Sequence, residues 1–321
     1  MTVRQTLQGG AVLSGQAPGP MSMPKSVPKS VPKSVPVLPA GLAPAKVNLT
    51  LHVTGQRDDG YHLLDSLVVF ADIGDQISAT AASGLSLSVT GPFAKGVPVD
   101  DSNLILRAAR VLQRARGVTR GAALRLTKVL PHAAGIGSGS SDAATTLRLL
   151  AALWGVAPLA PDDPLVLSLG ADVPVCLLAP RPARMSGIGG QLSAIPALPV
   201  AALVLVNPRV ELATAAVFNG LILQDNPPML PMPATWDFDG FAAWLNRQRN
   251  DLQQPASQIA PQIGQALDKL RHLPGVAAAV MSGSGPTCIG LVRDMGTARA
   301  AARAMQVAQM GWWVVPAAVL G

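Results

Sequence analysis

The chain has 321 residues, 49% of them hydrophobic, enough for a sizeable core in two domains or one large one. Its net charge is +7, but Arg4, Lys25, Lys29 and Lys33 fall in the first forty residues with no acid among them, which leaves the remainder only mildly basic at +3. That balance suits small anionic ligands. Aromatics at 3% argue against a base-stacking nucleic-acid platform, and no apolar run reaches the roughly 18 residues of a membrane helix.

Residues 1–40 repeat Pro-Lys-Ser-Val three times and are expected to form a disordered, polyproline-like tail with no catalytic role. Residues 43–54 then alternate: Val47, Leu49, Leu51 and Val53 on one face, Lys46, Asn48, Thr50 and His52 on the other. This is the pattern of a half-buried strand with a polar face, which either meets solvent or lets Lys46 and Asn48 address one ligand. A turn-rich stretch ends in Gly60-Tyr61-His62, and the apolar run 63–70 follows. Tyr61, the single tyrosine, stands beside an imidazole, a pairing able to stack on a base and read its edge.

Strands are expected over 84–90 and 122–129, with a helix over 102–116 between them. Residues 130–147 carry the strongest signal of the chain. Gly135, Gly137 and Gly139 alternate into Ser140, Ser141 and Asp142, and a helical pattern follows through Leu147, Leu150, Ala151 and Trp154 to a stop at Gly155. Glycine admits close backbone approach, and a helix start offers unpaired N–H groups, so the segment forms a phosphate socket. It is not a Walker A loop, since no Gly-Lys pair exists in the chain. It is not G-x-G-x-x-G either, because Ser140 stands at the last glycine.

Asp172, between apolar segments and flanked by Gly170 and Pro174, is the best-framed carboxylate for chemistry, although an isolated Asp also serves commonly as a cap. Further on, a strand is expected at 200–206 and helices at 213–221, 241–246 and 261–270, and residues 275–280 lead into the next loop. A second small-residue loop, 281–287, precedes a final strand. Cys176 and Cys288 lie far apart in apolar runs with no C-x-x-C, as buried thiols of a reducing cytoplasm do. The order of elements indicates an α+β protein.

Ala43-Pro44-Ala45-Lys46-Val47-Asn48, Gly60-Tyr61-His62, the run 131–144, Gly170-Ala171-Asp172-Val173-Pro174 and the run 281–287 occur in an order that resembles the GHMP small-molecule kinase superfamily, from about residue 42 to the C-terminus. The resemblance implies a two-domain GHMP kinase fold: a ribosomal protein S5 domain 2-like ATP-binding domain over 41–180 and an α+β C-terminal domain over 181–321. Within the superfamily these motifs are similar to those of the branch that phosphorylates the 2-hydroxyl of 4-diphosphocytidyl-2-C-methyl-D-erythritol, in the non-mevalonate route to isoprenoid precursors. By that resemblance Asp172 is the catalytic base with Lys46 beside it. Asn48, Tyr61, His62 and Phe218 hold the cytidyl substrate. Gly135, Ile136, Gly137, Ser138, Gly139, Ser140 and Ser141 wrap the phosphates of ATP, with Ser141 a ligand for Mg²⁺, and Asn250-Asp251-Leu252 matches a structural element. The implied enzyme is cytoplasmic, a monomer or weak homodimer, without nucleic-acid or membrane partners.

Four positions depart from the family pattern: Ala133, Ala134 and Ser138 replace glycines, and Asp142 stands where asparagine is common. The rival readings are a GHMP kinase for homoserine, mevalonate or a sugar, and a non-catalytic nucleotide- or RNA-binding protein on the same fold. Tyr61, His62 and Asn48 weigh against the first, since those substrates offer no pyrimidine. Retention of both Lys46 and Asp172 weighs against the second.

Overall fold

Eleven strands of the computed structural model, which describes residues 38–321, form a single sheet. β1 (Leu42–Asn48) and β2 (His52–Gln56) pair antiparallel with β3 (His62–Ala82), a strand of 21 residues. β4 (Leu85–Thr90) lies parallel to β5 (Gly121–Thr127), with α1 (Leu104–Arg116) as their crossover. Asn103 caps α1 by accepting the Ile105 N–H, and Gly117 in the left-handed region ends it. There follow α2 (Ser138–Trp154), α3 (Pro164–Leu167), α4 (Val173–Leu177), β6 (Ala183–Gly187), β7 (Gln191–Ser193) and β8 (Ala202–Asn207). The remainder is α5 (Thr214–Asn219), α6 (Phe238–Leu245), α7 (Gln253–Ile259), α8 (Gln262–His272), β9 (Val276–Met281), β10 (Cys288–Val292), α9 (Met295–Ala308) and β11 (Trp313–Leu320). The tail expected at 1–40 lies, apart from its last three residues, outside the described ones.

The main path of the sheet is β4-β5-β3-β11-β8-β10-β9, so the last strand of the chain joins β3 to the C-terminal strands. Alternation distributes the core. Val68 and Phe70 of β3 face α1, α2 and α4, whereas Leu67, Val69 and Ala71 face the opposite side, with Phe241 and Trp244 of α6. On β8, Leu203 and Leu205 join that second cluster, while Val204 and Val206 pack under α8 and α9. The α+β class expected from the order of elements is the one found. Both cysteines are buried free thiols, and burial raises the pKa of each well above the ordinary thiol range.

One expectation needs correction. Residues 43–53 are not half-buried: the polar face is covered as completely as the apolar one, with Lys46, Asn48, Thr50 and His52 all buried. The cover is chain from the C-terminal half. Ser282 Oγ accepts the Asn48 N–H, the Arg249 carbonyl accepts the Leu51 N–H, and the Asp251 carboxylate accepts the Val53 N–H. The helix after the glycine loop starts at Ser138, which puts Ser140 in its first turn and not at its cap. Its N-cap is Gly137, and no side chain caps it.

Candidate active site

The glycine loop and its helix form a socket without a lid of their own side chains. Gly135 (φ +72°) and Gly137 (φ +57°) occupy the left-handed region, where L side chains are strained. α2 begins with no side-chain cap, so the N–H groups of its first turn are left for a ligand. The second loop buttresses the first: Ser282 Oγ donates to the Gly135 carbonyl at 2.9 Å, and the Thr287 N–H donates to the Ala134 carbonyl. A Cβ on Gly135 would collide with the Ser282 carbonyl oxygen. Asn250 Nδ2 donates to the carbonyls of Met281 and Gly283, each at 2.8 Å, which ties this loop to the segment covering β1.

Lys46 is aimed at the socket by an irregularity of its own strand. The β1–β3 register shifts between Pro44 and Lys46, and the Lys46 N–H donates instead to the Ile136 carbonyl of the glycine loop. Its side chain crosses directly over Gly137, whose added Cβ would lie 2.6 Å from Lys46 Cε. Lys46 Nζ meets Asp172 Oδ2 at 2.9 Å and donates to Asn48 Oδ1 at 2.7 Å. The ammonium is buried and the carboxylate about one-third exposed. Asp172 sits at the N-terminal boundary of α4, yet its side chain accepts no capping bond, so the carboxylate remains free to face Lys46. The two residues stand 126 positions apart in sequence, and the structure brings them into contact.

A cleft of about 840 Å³ opens beside this pair, its wall formed by Lys46, Asp172, Gly137, Ser140, His62 and Phe218 among others. The His62 and Phe218 rings lie 4.8 Å apart at 32°, leaving His62 Nε2 buried with no partner among the described residues. Burial lowers the His62 pKa, so the ring is a neutral imidazole, able to donate at one nitrogen and accept at the other. Tyr61 lines the same cleft but is largely exposed, on the turn between β2 and β3. Asn48 lines the cleft with its amide oxygen on Lys46 and its amide nitrogen donating to Ser66 Oγ at 2.7 Å. Its visible work is therefore to orient the lysine.

Ser141, expected at the metal, is fully buried, off the cleft wall and without a hydrogen-bond partner among the described residues. In a helix starting at Ser138 each residue advances about 100°. Ser140 thus faces the cleft and Ser141 faces the core.

Sequence reasoning missed a buried cluster beneath the socket. Lys128 Nζ lies 2.6 Å from Asp75 Oδ2, 2.7 Å from Asp142 Oδ2 and 2.8 Å from Ser138 Oγ. Asp75 Oδ1 also accepts the N–H groups of Val129 and Leu130, at the entrance to the glycine loop. One ammonium faces two carboxylates, and burial, partly offset by Lys128, raises the Asp142 pKa to about 7. Two of the departures are thereby connected, since Ser138 and Asp142 share Lys128. Of the other two, Ala134 is buried, and Ala133 holds φ +50° on the cleft wall, a conformation that favours glycine.

An uncapped helix start beside an ammonium–carboxylate pair, in a cleft of nucleotide size, defines a small-molecule phosphotransferase. Comparison with known proteins agrees: residues 103–179 match the GHMP kinase N-terminal domain and residues 234–309 the GHMP kinase C-terminal domain. The chain is 55% identical to a 4-diphosphocytidyl-2-C-methyl-D-erythritol kinase of Ruegeria pomeroyi, over 87% of its own length and 98% of the relative's. It is 54% identical to a kinase of the same name from Cereibacter sphaeroides, with the same shares covered. A crystal structure of 4-(cytidine 5'-diphospho)-2C-methyl-D-erythritol kinase superposes with TM-score 0.69 at 32% identity, covering 87% of this chain and 98% of that one. The chain belongs to the GHMP kinases and, within them, to the 4-diphosphocytidyl-2-C-methyl-D-erythritol kinase family.

Proposed function

We propose that this enzyme transfers the γ-phosphoryl group of ATP to the 2-hydroxyl of 4-diphosphocytidyl-2-C-methyl-D-erythritol, giving the 2-phosphate and ADP in the non-mevalonate route to isoprenoid precursors. The observation that carries the proposal is the 2.9 Å contact of Lys46 with Asp172 on the wall of a cleft that the uncapped start of α2 and the His62–Phe218 ring pair also line. Asp172 receives the proton of the attacking hydroxyl, and Lys46 holds that carboxylate in line and offsets charge on the transferring group. Asn48 fixes Lys46. Phosphoryl transfer depends chiefly on such alignment and neutralisation, so this small set of side chains is sufficient.

His62 reads the cytosine edge through its unpaired Nε2, while Phe218 and the exposed Tyr61 stack about the base. The amides from Gly135 to Ser140 hold the nucleotide phosphates. The residues fit magnesium delivered with ATP. No group of three or more His, Cys, Asp or Glu gathers among the described residues, and the cleft wall offers oxygens of Ser140 and Asp172 to complete a shell of phosphate and water. The ion supplies neutralisation of phosphate charge. The enzyme acts in the cytoplasm as a monomer or weak homodimer without nucleic-acid partners, its two domains meeting near residue 180. No helix among the described residues is long and apolar enough to cross a membrane.

ADP release measured with 4-diphosphocytidyl-2-C-methyl-D-erythritol, homoserine and mevalonate tests the proposal. Turnover with the cytidyl substrate alone is expected. Equal or greater turnover with either of the others would overturn the substrate assignment.

A further inference from the structure

Arg148, two turns along α2 from its first residues, is half-buried and, alone among the described cations that are not exposed, has no carboxylate within salt-bridge distance. Its guanidinium is spent on neutral oxygens. Nη1 donates to the Cys176 carbonyl at 3.1 Å and Nη2 to Thr145 Oγ1 at 2.8 Å. The Thr145 hydroxyl in turn donates to the Leu42 carbonyl at 3.2 Å. Each end of this relay lies on an element that carries part of the site. Leu42 opens β1, the strand of Lys46, and Cys176 closes the first turn of α4, its N–H donating to the Asp172 carbonyl at 3.1 Å. Arg148 and Thr145 themselves lie on α2, whose start is the phosphate socket.

An unbranched apolar side chain would fill the space of the Arg148 methylenes. What it would not do is grip the carbonyl of a five-residue helix that has few intrahelical bonds to hold its axis. A guanidinium can bind two acceptors in a fixed fork, and a lysine ammonium cannot reproduce that planar geometry.

We infer that Arg148 is a positioning residue for phosphoryl transfer. Through Thr145 and the Cys176 carbonyl it sets the spacing of Asp172 from Lys46 and from the phosphate socket, without touching substrate. The inference rests on the role of Asp172 given under Proposed function. Arg148→Met, which keeps an unbranched chain in the same space, is expected to lower kcat about tenfold or more while leaving KM for ATP and for the cytidyl substrate within about twofold, as a small misalignment of reacting groups does. Arg148→Lys should fall between it and the parent. In Arg148→Ala, added guanidinium ion at millimolar concentration should restore part of the lost kcat. Parental kcat in Arg148→Met, or a loss confined to KM, would overturn the inference. Should Arg148→Met fail to fold, a folded Arg148→Lys with parental kcat, or Arg148→Ala without guanidinium rescue, would do the same. Asp172→Asn is measured alongside: parental turnover in that variant rejects the role of Asp172 itself, whereas its collapse beside a fully active Arg148→Met rejects only the role of Arg148.

Discussion

Gly137→Ala adds a single carbon at the most crowded point of the site. The new Cβ would lie 2.6 Å from Lys46 Cε and 3.1 Å from Lys46 Cβ, at a backbone φ of +57°. Unstrained carbon contacts run about 3.5–4.0 Å, so the lysine must retreat by about 1 Å. That movement opens its 2.9 Å contact with Asp172 and its 2.7 Å bond to Asn48 together. A misplacement of this size in a reacting array costs about 100-fold in rate. The left-handed alanine adds about 1 kcal/mol of strain, a small loss of stability beside the loss of activity. The expected outcome is a folded enzyme with kcat down about 100-fold, read by coupled ADP release, and a melting temperature lowered by only a few degrees. A Gly137→Ala enzyme within twofold of parental kcat would refute the claim that Lys46 works from this position.

Further outcomes follow from other parts of the cleft. His62→Ala should raise KM for the cytidyl substrate about tenfold, the worth of a lost buried hydrogen bond, with KM for ATP nearly unchanged; equal losses for both would remove His62 from the cytosine end. Ala133 holds φ +50°, so Ala133→Gly should relieve strain and raise the melting temperature, with up to about 1 kcal/mol gained; a lower melting temperature would count against strain there. Asp142 has a pKa raised to about 7 in the folded chain, so its contribution to stability is complete below the ordinary carboxylate range and is lost as pH rises through about 7. In thermal unfolding without nucleotide or magnesium, Asp142→Asn should flatten the decline of stability between about pH 4 and pH 7. An unchanged decline would show that Asp142 stays ionised in the folded chain over that range.

The sequence announced those parts of the molecule whose physics is local. Glycine spacing before an amphipathic helix located the phosphate socket, and alternation located β1. What alternation could not convey was that both faces of β1 are buried. Its cover, from Ser282, Arg249 and Asp251, is contributed by chain about 200 residues away. For the same reason the bonds of the Asn48 amide to Lys46 and Ser66 were not legible, although Asn48 does line the cleft as a substrate contact would. Helix α9 and strand β11 went unrecognised. The buried face of α9 is built mostly of alanines (Ala298, Ala301, Ala302), which give little apolar contrast, although Asp294 accepting the Thr297 N–H was a readable cap signal. Ser140, Ser141 and Asp142 suit either an N-cap or a first turn, and the sequence did not decide between the two. The helix opens uncapped at Gly137, as a ligand-binding end must. The Lys128 cluster joins residues 75, 128, 138 and 142, and no local pattern marks such a convergence.

The juxtaposition of Lys46 and Asp172 beside the uncapped start of α2 is tested most directly by Asp172→Asn, which removes the charge and keeps the shape. Turnover of the cytidyl substrate should fall by about 100-fold or more, the usual weight of a positioned proton acceptor, while ATP binding measured by calorimetry stays within a few-fold of the parent. Parental turnover in Asp172→Asn would contradict the assignment of this pair as the centre of the reaction.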